Sequence, residues 1–309
     1  MNKLKVIYCA SGEIAIPVLE ALKGHPKIDL IKIITSPNKK AGRGKKETPP
    51  PAAKFCDRWK LPLLQMENVN HQDQVSNLIK KEGVDLVLVF AFSHFLKEKL
   101  LNAPRLGCFN IHPSLLPCYR GAAPLQYALL NGDKVTGVSI QKLVLKMDAG
   151  DIVLQEKLDI GPDEDAEKLQ IRAAILAAQM MDEFITRALS REILYKKQDE
   201  SKVSYAPLLK KEDGRLDFIN QTAEQIDNRI RAFNPWPSTY FKMNDKRIKV
   251  IKAGVVDKDI PAGHVRNLNG LVIGCKKKSI RLMKIQREGK KPCSDIEFLN
   301  GLKEELRVG

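Results

Sequence analysis

The sequence predicts an α/β chain built on a doubly wound, mostly parallel sheet, and three observations carry that prediction. The run VDLVLVFAF at 84–92 is continuously apolar, the pattern of a strand buried on both faces by flanking helices. Short apolar strands alternate with helical patterns along the first two-thirds of the chain, which implies βαβ units. A 25-residue stretch, DAEKLQIRAAILAAQMMDEFITRAL at 165–189, places apolar residues at helical spacing and reads as one helix closing against the sheet.

The elements follow in order. KLKVIYC at 3–9 is a strand, followed by a Ser11-Gly12 turn and the helical IAIPVLEALKG. The next strand covers 30–35, and the polar, proline-laden SPNKKAGRGKKETPPP leads from it to the helix-like AAKFCDRWK. After the run at 84–92 come a short strand at 107–111 and GVSIQKLVL at 137–145, a strand with partial alternation. Residues 191–204 are polar and charged and read as a linker. Beyond it, RLDF, RIKVIKAGVV, GLVIGC and SIRLMKIQ read as short strands around the helical TAEQIDNRIRAF, the pattern of a small β-barrel of the oligonucleotide-binding type. The expected organisation is an α/β domain over 1–189, a linker over 190–208 and a β domain over 209–309.

A chain of 309 residues suits two domains, and 43% hydrophobic residues can fill two cores. No run approaches the ~18 apolar residues of a membrane span. The opening MNKLKVIYCA lacks the pattern of a secretion or transit signal, and the six cysteines are scattered without a CxxC pair. They read as buried thiols of a reducing compartment, so the expected location is cytoplasmic. Residues 1–200 carry 29 basic and 24 acidic side chains, whereas residues 201–309 carry 23 and 13. A basic second domain draws a polyanion such as nucleic acid, although a uniformly lysine-rich proteome gives a similar excess.

Four segments can carry chemistry. In NIHPSLLPCYRGAAPLQ at 110–126, Asn110 and His112 sit two residues apart and share one face at the carboxyl end of a strand, where open α/β sheets place their ligands. Ser114, Leu115, Leu116 and Pro117 then leave the strand as a constrained loop whose backbone polar groups could dock a flat heterocycle. In MDAGDIV at 147–153, Asp148 and Asp151 lie in a glycine turn; one of them beside His112 would orient the imidazole while Asn110 donates to an oxyanion. No serine or cysteine is evidently activated, and the histidines at 25, 71, 94, 112 and 264 have no metal-ligand spacing. These residue types fit direct attack of an amine on an acyl carbon, without selecting that reaction. AGRGKKETPPP, with Arg43, Lys45 and Lys46, is either a solvated loop or a phosphate-gripping one; it is not a Walker A loop, and CASGEIA lacks GxGxxG. In IRAFNPWPSTY at 230–240, Trp236 either plugs a core or presents a stacking face, and the core is the favoured expectation. The basic residues Lys246, Arg247, Lys249 and Lys252, with Lys276 to Lys278, can form one continuous basic surface.

AGRGKK, RLGCFNIHPSLLPCYRGAAPLQ, TGVSIQ…MDAGDIV, SYAPLLKKEDGRLDF and RAFNPWP occur in that order, and over essentially its whole length the chain resembles the folate-dependent formyltransferases. KEDG and FNPWP point to the branch acting on methionyl-tRNA. The resemblance implies a Rossmann-like formyltransferase domain and transfer of the formyl group of 10-formyltetrahydrofolate to the α-amino group of methionyl-initiator-tRNA, with no metal. It implies Asn110, His112 and Asp148 as the catalytic trio, Ser114 to Pro117 as the folate-binding segment, and tRNA contacts from Arg43, Lys45, Lys46, Lys210, Lys211, Lys246, Arg247 and Lys249. A monomer is expected. The chain departs from the family's usual segments at CASGEIAIPVLEAL, SPNKKAGRG and AFSHFLKEKLL. Its rivals are a formyltransferase for a sugar nucleotide or purine precursor, which would not need the basic second domain, and a silent RNA-binding protein, which would not need the trio.

Overall fold

The computed structural model describes residues 3–41, 46–243 and 246–300. The chain divides into two compact units. The first comprises Met1–Gly121, Thr136–Leu158 and Gln170–Tyr205, and the second Ala122–Val135, Asp159–Leu169 and Ala206–Gly309.

The first unit is built on a seven-stranded sheet. Its strands are β1 (Leu4–Ala10), β2 (Ile28–Thr35), β3 (Leu63–Gln65), β4 (Leu86–Phe90), β5 (Gly107–His112), β6 (Val135–Lys142) and β7 (Ile152–Asp159). They lie in the order β3-β2-β1-β4-β5-β6-β7. Strands β1 to β5 pair in parallel, and β6 runs antiparallel to β5. The order reverses at β1, with β2 on one side and β4 on the other, which creates a crevice at the carboxyl ends of β1 and β4. There Ser11 and Gly12 donate their N–H groups to the Ala91 carbonyl at 3.2 and 3.3 Å, joining the two exits. All five residues of β4 are buried, as the apolar run at 84–92 requires. Ile7, Cys9, Ile34, Val75, Ile79, Val87 and Val89 share one core on this sheet, and each fully buried aliphatic side chain contributes about 1.5–3 kcal/mol.

The helices are α1 (Ile16–Gly24), α2 (Pro51–Trp59), α3 (Gln74–Glu82), α4 (Glu98–Leu101), α5 (Pro124–Asn131), α6 (Ala166–Gln179), α7 (Met181–Ser190), α8 (Ala223–Phe233) and α9 (Asp295–Asn300). The single helix expected over 165–189 is thus two, α6 and α7, meeting at Met180. No helix among the described residues is long and apolar enough to cross a membrane.

The second unit holds an antiparallel sheet of β8 (Thr239–Met243), β9 (Lys246–Val256), β10 (Val265–Asn267), β11 (Leu271–Gly274), β12 (Ser279–Arg287) and β13 (Cys293–Ser294), in the order β8-β9-β12-β11-β10 with β13 beside β12. Helix α8 starts at a capping box, in which Thr222 accepts the Gln225 N–H and Gln225 accepts the Thr222 N–H. Its Ile226 and Ile230 bury against Phe241, Ile248, Val250, Ile273, Ile280 and Ile285. RLDF is not a strand. Leu216 and Phe218 drop into this core, while Asp217 accepts the N–H groups of Ile219 and Asn220 and closes a turn. Sequence reading missed β8 and the short β10 and β13 here, and β3 and β7 in the first unit.

Candidate active site

Asn110 and His112 occupy the last turn of pleat in β5, so their side chains emerge on one face at its carboxyl end. The antiparallel partner β6 sets Gln141 opposite Asn110 and Ser139 opposite His112, on that same face. Asp148 comes from the turn that follows β6. The turn is tight because Gly150 lies against Lys142: a Cβ at 150 would come within 1.7 Å of the Lys142 carbonyl oxygen, so only glycine fits. Asp148 itself has a left-handed backbone, φ +49°, a conformation that is costly for any residue with a Cβ and is tolerated best by Asn and Asp.

The trio converges. The Asp148 Oδ2 atom lies 3.7 Å from His112 Nδ1 and accepts the Gly121 N–H at 2.9 Å. Its Oδ1 accepts from Gln141 Nε2 at 2.8 Å and more loosely from Asn110 Nδ2 at 3.4 Å. The His112 Nε2 atom is 2.9 Å from the Tyr119 carbonyl. A carbonyl only accepts, so Nε2 carries a hydrogen and Nδ1 is the position at which a proton can come and go, facing Asp148. The His112 and Asp148 side chains are 5% and 11% exposed, so their charges interact with little screening by water. Asp151 takes no part: its carbonyl accepts the Lys142 N–H and so shapes the turn.

The segment of Ser114, Leu115, Leu116 and Pro117 is rigid, and its polar groups turn inward. The Ser114 hydroxyl donates to the Cys118 carbonyl, and its own carbonyl accepts from the Ser139 hydroxyl. Leu116 donates its N–H to Ser139 Oγ and accepts from Gln155 Nε2. The Leu115 carbonyl accepts the Cys118 N–H. What the segment offers a ligand is therefore shape and the half-buried side chains of Leu115 and Pro117, more than the open hydrogen-bonding edge expected of it.

Sequence reading missed several polar residues here. Gln141 is fully buried, yet it alternates with Val138 and Ile140 on the polar face of its strand, so the sequence pattern carried no signal for it. His94, at the exit of β4, has a buried Nδ1 without a partner among the described residues. Burial first, then the charge of Lys39, pushes its pKa below the ordinary imidazole value, so it is neutral at neutral pH. Gln198 and Glu200 come from the segment read as a linker.

The basic residues are placed as follows. Arg43 and Lys45 lie outside the described residues. Lys46, Lys210, Lys211, Lys246 and Arg247 are exposed, and Lys249 is half-buried. Register divides the last three: Lys246 pairs with Met243, whose side chain is buried in the core, whereas Arg247 pairs with Lys242 and Lys249 with Tyr240. Arg247 and Lys249 thus share the outer face with Lys242 and Tyr240, and Lys246 points to the other side. The Arg247 guanidinium stacks 3.6 Å from the Tyr240 ring centroid. The expectation that Trp236 plugs the core is overturned. It is 52% exposed, because Phe233 and Pro237 on either side take the buried positions.

A model of the formyl transferase family matches residues 2–185, and one of the formyl transferase C-terminal domain matches 208–303. The methionyl-tRNA formyltransferase of Geobacter metallireducens is 37% identical over 313 residues, covering 100% of both chains. That of Thermotoga neapolitana is 36% identical over 96% of this chain and 95% of its own. Among solved structures, the sugar 3N-formyl transferase WlaRD shares the fold with a TM-score of 0.68 at 19% identity, over 94% of this chain and 100% of that one. HypX from Aquifex aeolicus, solved with tetrahydrofolic acid, does so with a TM-score of 0.66 at 14% identity, over 98% of this chain and 49% of its own. Matched along its whole length, with Asn110, His112 and Asp148 converged at the end of the sheet, this chain belongs to the formyl transferase family, among the methionyl-tRNA formyltransferases.

Proposed function

We propose that this chain transfers the formyl group of 10-formyltetrahydrofolate to the free α-amino group of methionyl-initiator-tRNA, by direct attack of the amine through a tetrahedral adduct, as a step of translation initiation. The observation that carries this reading is the convergence of an amide, an imidazole and a carboxylate at one strand end of a chain that methionyl-tRNA formyltransferases match from end to end.

The residues present fit a folate. Its pterin is flat and polar at the edge, and the crevice offers the unpartnered Nδ1 of His94 beside the half-buried Phe92. Leu115 and Pro117 supply an apolar rim on a loop stiffened by its own hydrogen bonds. The donor supplies the formyl carbon; the chain supplies charge and proton positions. Asn110, held only loosely by Asp148, is free to donate Nδ2–H to the formyl oxygen as it gains charge. His112 keeps Nε2–H on the Tyr119 carbonyl and takes a proton at Nδ1, so its positive charge stabilises the same oxygen through space. Asp148 orients the imidazole, stabilises its charge and so helps remove the proton that the amine loses, which His112 takes at Nδ1. Return of a proton to N10 of the departing folate passes through His112 or water.

The division of labour that goes with this reading is a catalytic domain over 1–189, a linker over 190–208 and a tRNA-binding domain over 209–309, in a cytoplasmic monomer. Arg43, Lys45 and Lys46 meet the acceptor end. Lys210, Lys211, Lys246, Arg247 and Lys249 contact the tRNA backbone, where lysine and arginine carry affinity and register and leave sequence unread.

The test is formyl transfer from 10-formyltetrahydrofolate to charged initiator tRNA by the unaltered chain, His112→Ala and Arg43→Ala. Loss of turnover in the first and a raised KM for tRNA in the second are expected. A folded wild-type chain that binds folate yet formylates no tRNA would move the acceptor to a small-molecule amine.

A further inference from the structure

The left-handed turn that carries Asp148 is held from behind by residues that composition alone marks as linker. Gln198 Nε2 donates both hydrogens into this turn, one to the Asp148 carbonyl at 2.8 Å and one to the Gly150 carbonyl at 2.7 Å. The first carbonyl belongs to the residue whose φ is +49°, and the second lies two residues further along the same turn. The other end of the Gln198 amide is clamped as well. Its Oε1 accepts from Arg120 Nε at 3.0 Å and from Arg120 Nη2 at 2.8 Å.

Arg120 is 1% exposed, the largest fully buried side chain among the described residues. A guanidinium so placed needs acceptors, and one left without them is strongly destabilising. Besides Gln198 it finds Glu200, with Nη2 at 2.7 Å from Oε1. The Glu200 Oε2 atom accepts from Lys146 at 3.1 Å, two residues before Asp148. Hydrogen bonds from Arg120 and then Lys146 hold the Glu200 carboxyl below its ordinary pKa, so it stays ionised at neutral pH. The chain of contacts closes on the carboxylate itself, since Gly121, next to Arg120, gives its N–H to Asp148 Oδ2.

We propose that Gln198, fixed by Arg120 and Glu200, is a positioning residue for formyl transfer: it holds the Asp148 turn in its left-handed form and so aims the carboxylate at His112. The inference rests on the reading of Asp148 as the catalytic carboxylate. An amide in general solvated linker duty has no reason to spend both hydrogens on the two carbonyls of one catalytic turn, nor to take two bonds from a buried arginine. Gln198 touches no substrate in this role. It acts through Asp148, and its loss shows in kcat while binding is spared.

The test uses the full chain with Gln198→Ala and, because removing a partner of buried Arg120 can unfold the protein, also Glu200→Gln at a position 60% exposed. Three quantities are read: steady-state formyl transfer, melting temperature, and the ¹H–¹⁵N resonance of Gly121, whose N–H reports its bond to Asp148. For Gln198→Ala the expected result is a fall in kcat of about ten- to a hundredfold, the scale of a misplaced catalytic group. Both KM values stay within about twofold, as a loss confined to the transition state requires. The Gly121 proton moves upfield. Glu200→Gln shifts kcat and the Gly121 resonance in the same directions by smaller amounts. A lowered melting temperature with unchanged kcat, or an unmoved Gly121 resonance in a folded variant, overturns the proposal. If the wild type itself transfers no formyl group, the proposed function fails, while the Gly121 resonance still reports whether Gln198 holds the carboxylate.

Discussion

Replacing Asp148 by asparagine removes one charge and leaves the size of the side chain unchanged, which isolates the electrostatic part of its role. The Oδ2 atom is 3.7 Å from His112 Nδ1, and both side chains are nearly buried. Two unit charges at that distance interact by about 4.5 kcal/mol at an effective dielectric of ~20. The imidazole gains its charge only as the reaction proceeds, so this energy lowers the barrier and its loss costs about three decades in rate. Asparagine also sets an NH₂ against one of two donors, the Gly121 N–H or the Gln141 amide, which now bond to the two oxygens. That mismatch costs about 1–3 kcal/mol of stability and shows as a lower melting temperature, separate from the kinetic effect. The assay is single-turnover transfer of labelled formyl from 10-formyltetrahydrofolate to saturating methionyl-tRNA, with tRNA binding measured in parallel. Expected are a kcat reduced about a thousandfold and an unchanged tRNA affinity, the pattern of an interaction made only in the transition state. A folded variant that loses less than about tenfold would show that the imidazolium–carboxylate pair is not what lowers the barrier, and the reasoning from 3.7 Å would fail with it.

The remaining predictions concern the second unit and the thiols. Trp236→Ala should weaken tRNA binding by about 1–3 kcal/mol, the value of one stacked base, without altering kcat at saturation; equilibrium binding by fluorescence anisotropy of labelled tRNA checks it, and unchanged affinity would mean the exposed indole meets nothing. Arg247→Ala should flatten the slope of log affinity against log salt by about one, as loss of one phosphate contact does, and an unaltered slope would remove this outer face from the tRNA interface. Burial holds the Cys56 thiol at about 11 and the Cys108 and Cys275 thiols at about 12. A disulfide reagent at pH 8 should therefore label the half-buried Cys118 and Cys293 first in the folded chain. Because these three folded values lie above the unfolded 9.0, the fold binds the thiol protons more tightly, and the corresponding stability is intact below pH 9 and lost as pH rises toward 12; a melting temperature that is flat across this range would refute it.

How much of the site could be read from residues alone depends on how local each signal is. Asn110 and His112 are two apart on one strand, and the strand's period of two puts them on one face without any knowledge of the rest of the fold. The run at 84–92 announces a buried parallel strand for a similar reason, since every residue of it can be apolar only where both faces are covered. Asp148 was legible as one of two turn carboxylates that could meet His112, but its left-handed backbone was not, because the sequence holds no glycine at that position and the conformation is held by partners far along the chain. Trp236 was misjudged because hydrophobicity favours burial, whereas the core beneath the FNPWP turn is already filled by Phe233 and Pro237.

The same contrast explains why Gln198 and Glu200 read as linker. Their neighbours, YKKQDESK, are all polar or charged, and composition assigns such a stretch to solvent. What changes their meaning is one buried arginine 78 residues earlier in the chain. A buried charge demands acceptors, and the demand can be met only by polar residues, so the segment that satisfies Arg120 has to look like a solvated linker in sequence. In this chain polarity therefore has two origins that composition cannot separate: contact with water, and service to a buried polar group. Gln141 is a second case, since its alternation with Val138 and Ile140 reads as a solvent-facing position although the side chain is buried. For Gln198 the distinction exists only in three dimensions, where its amide meets the carbonyls of the catalytic turn.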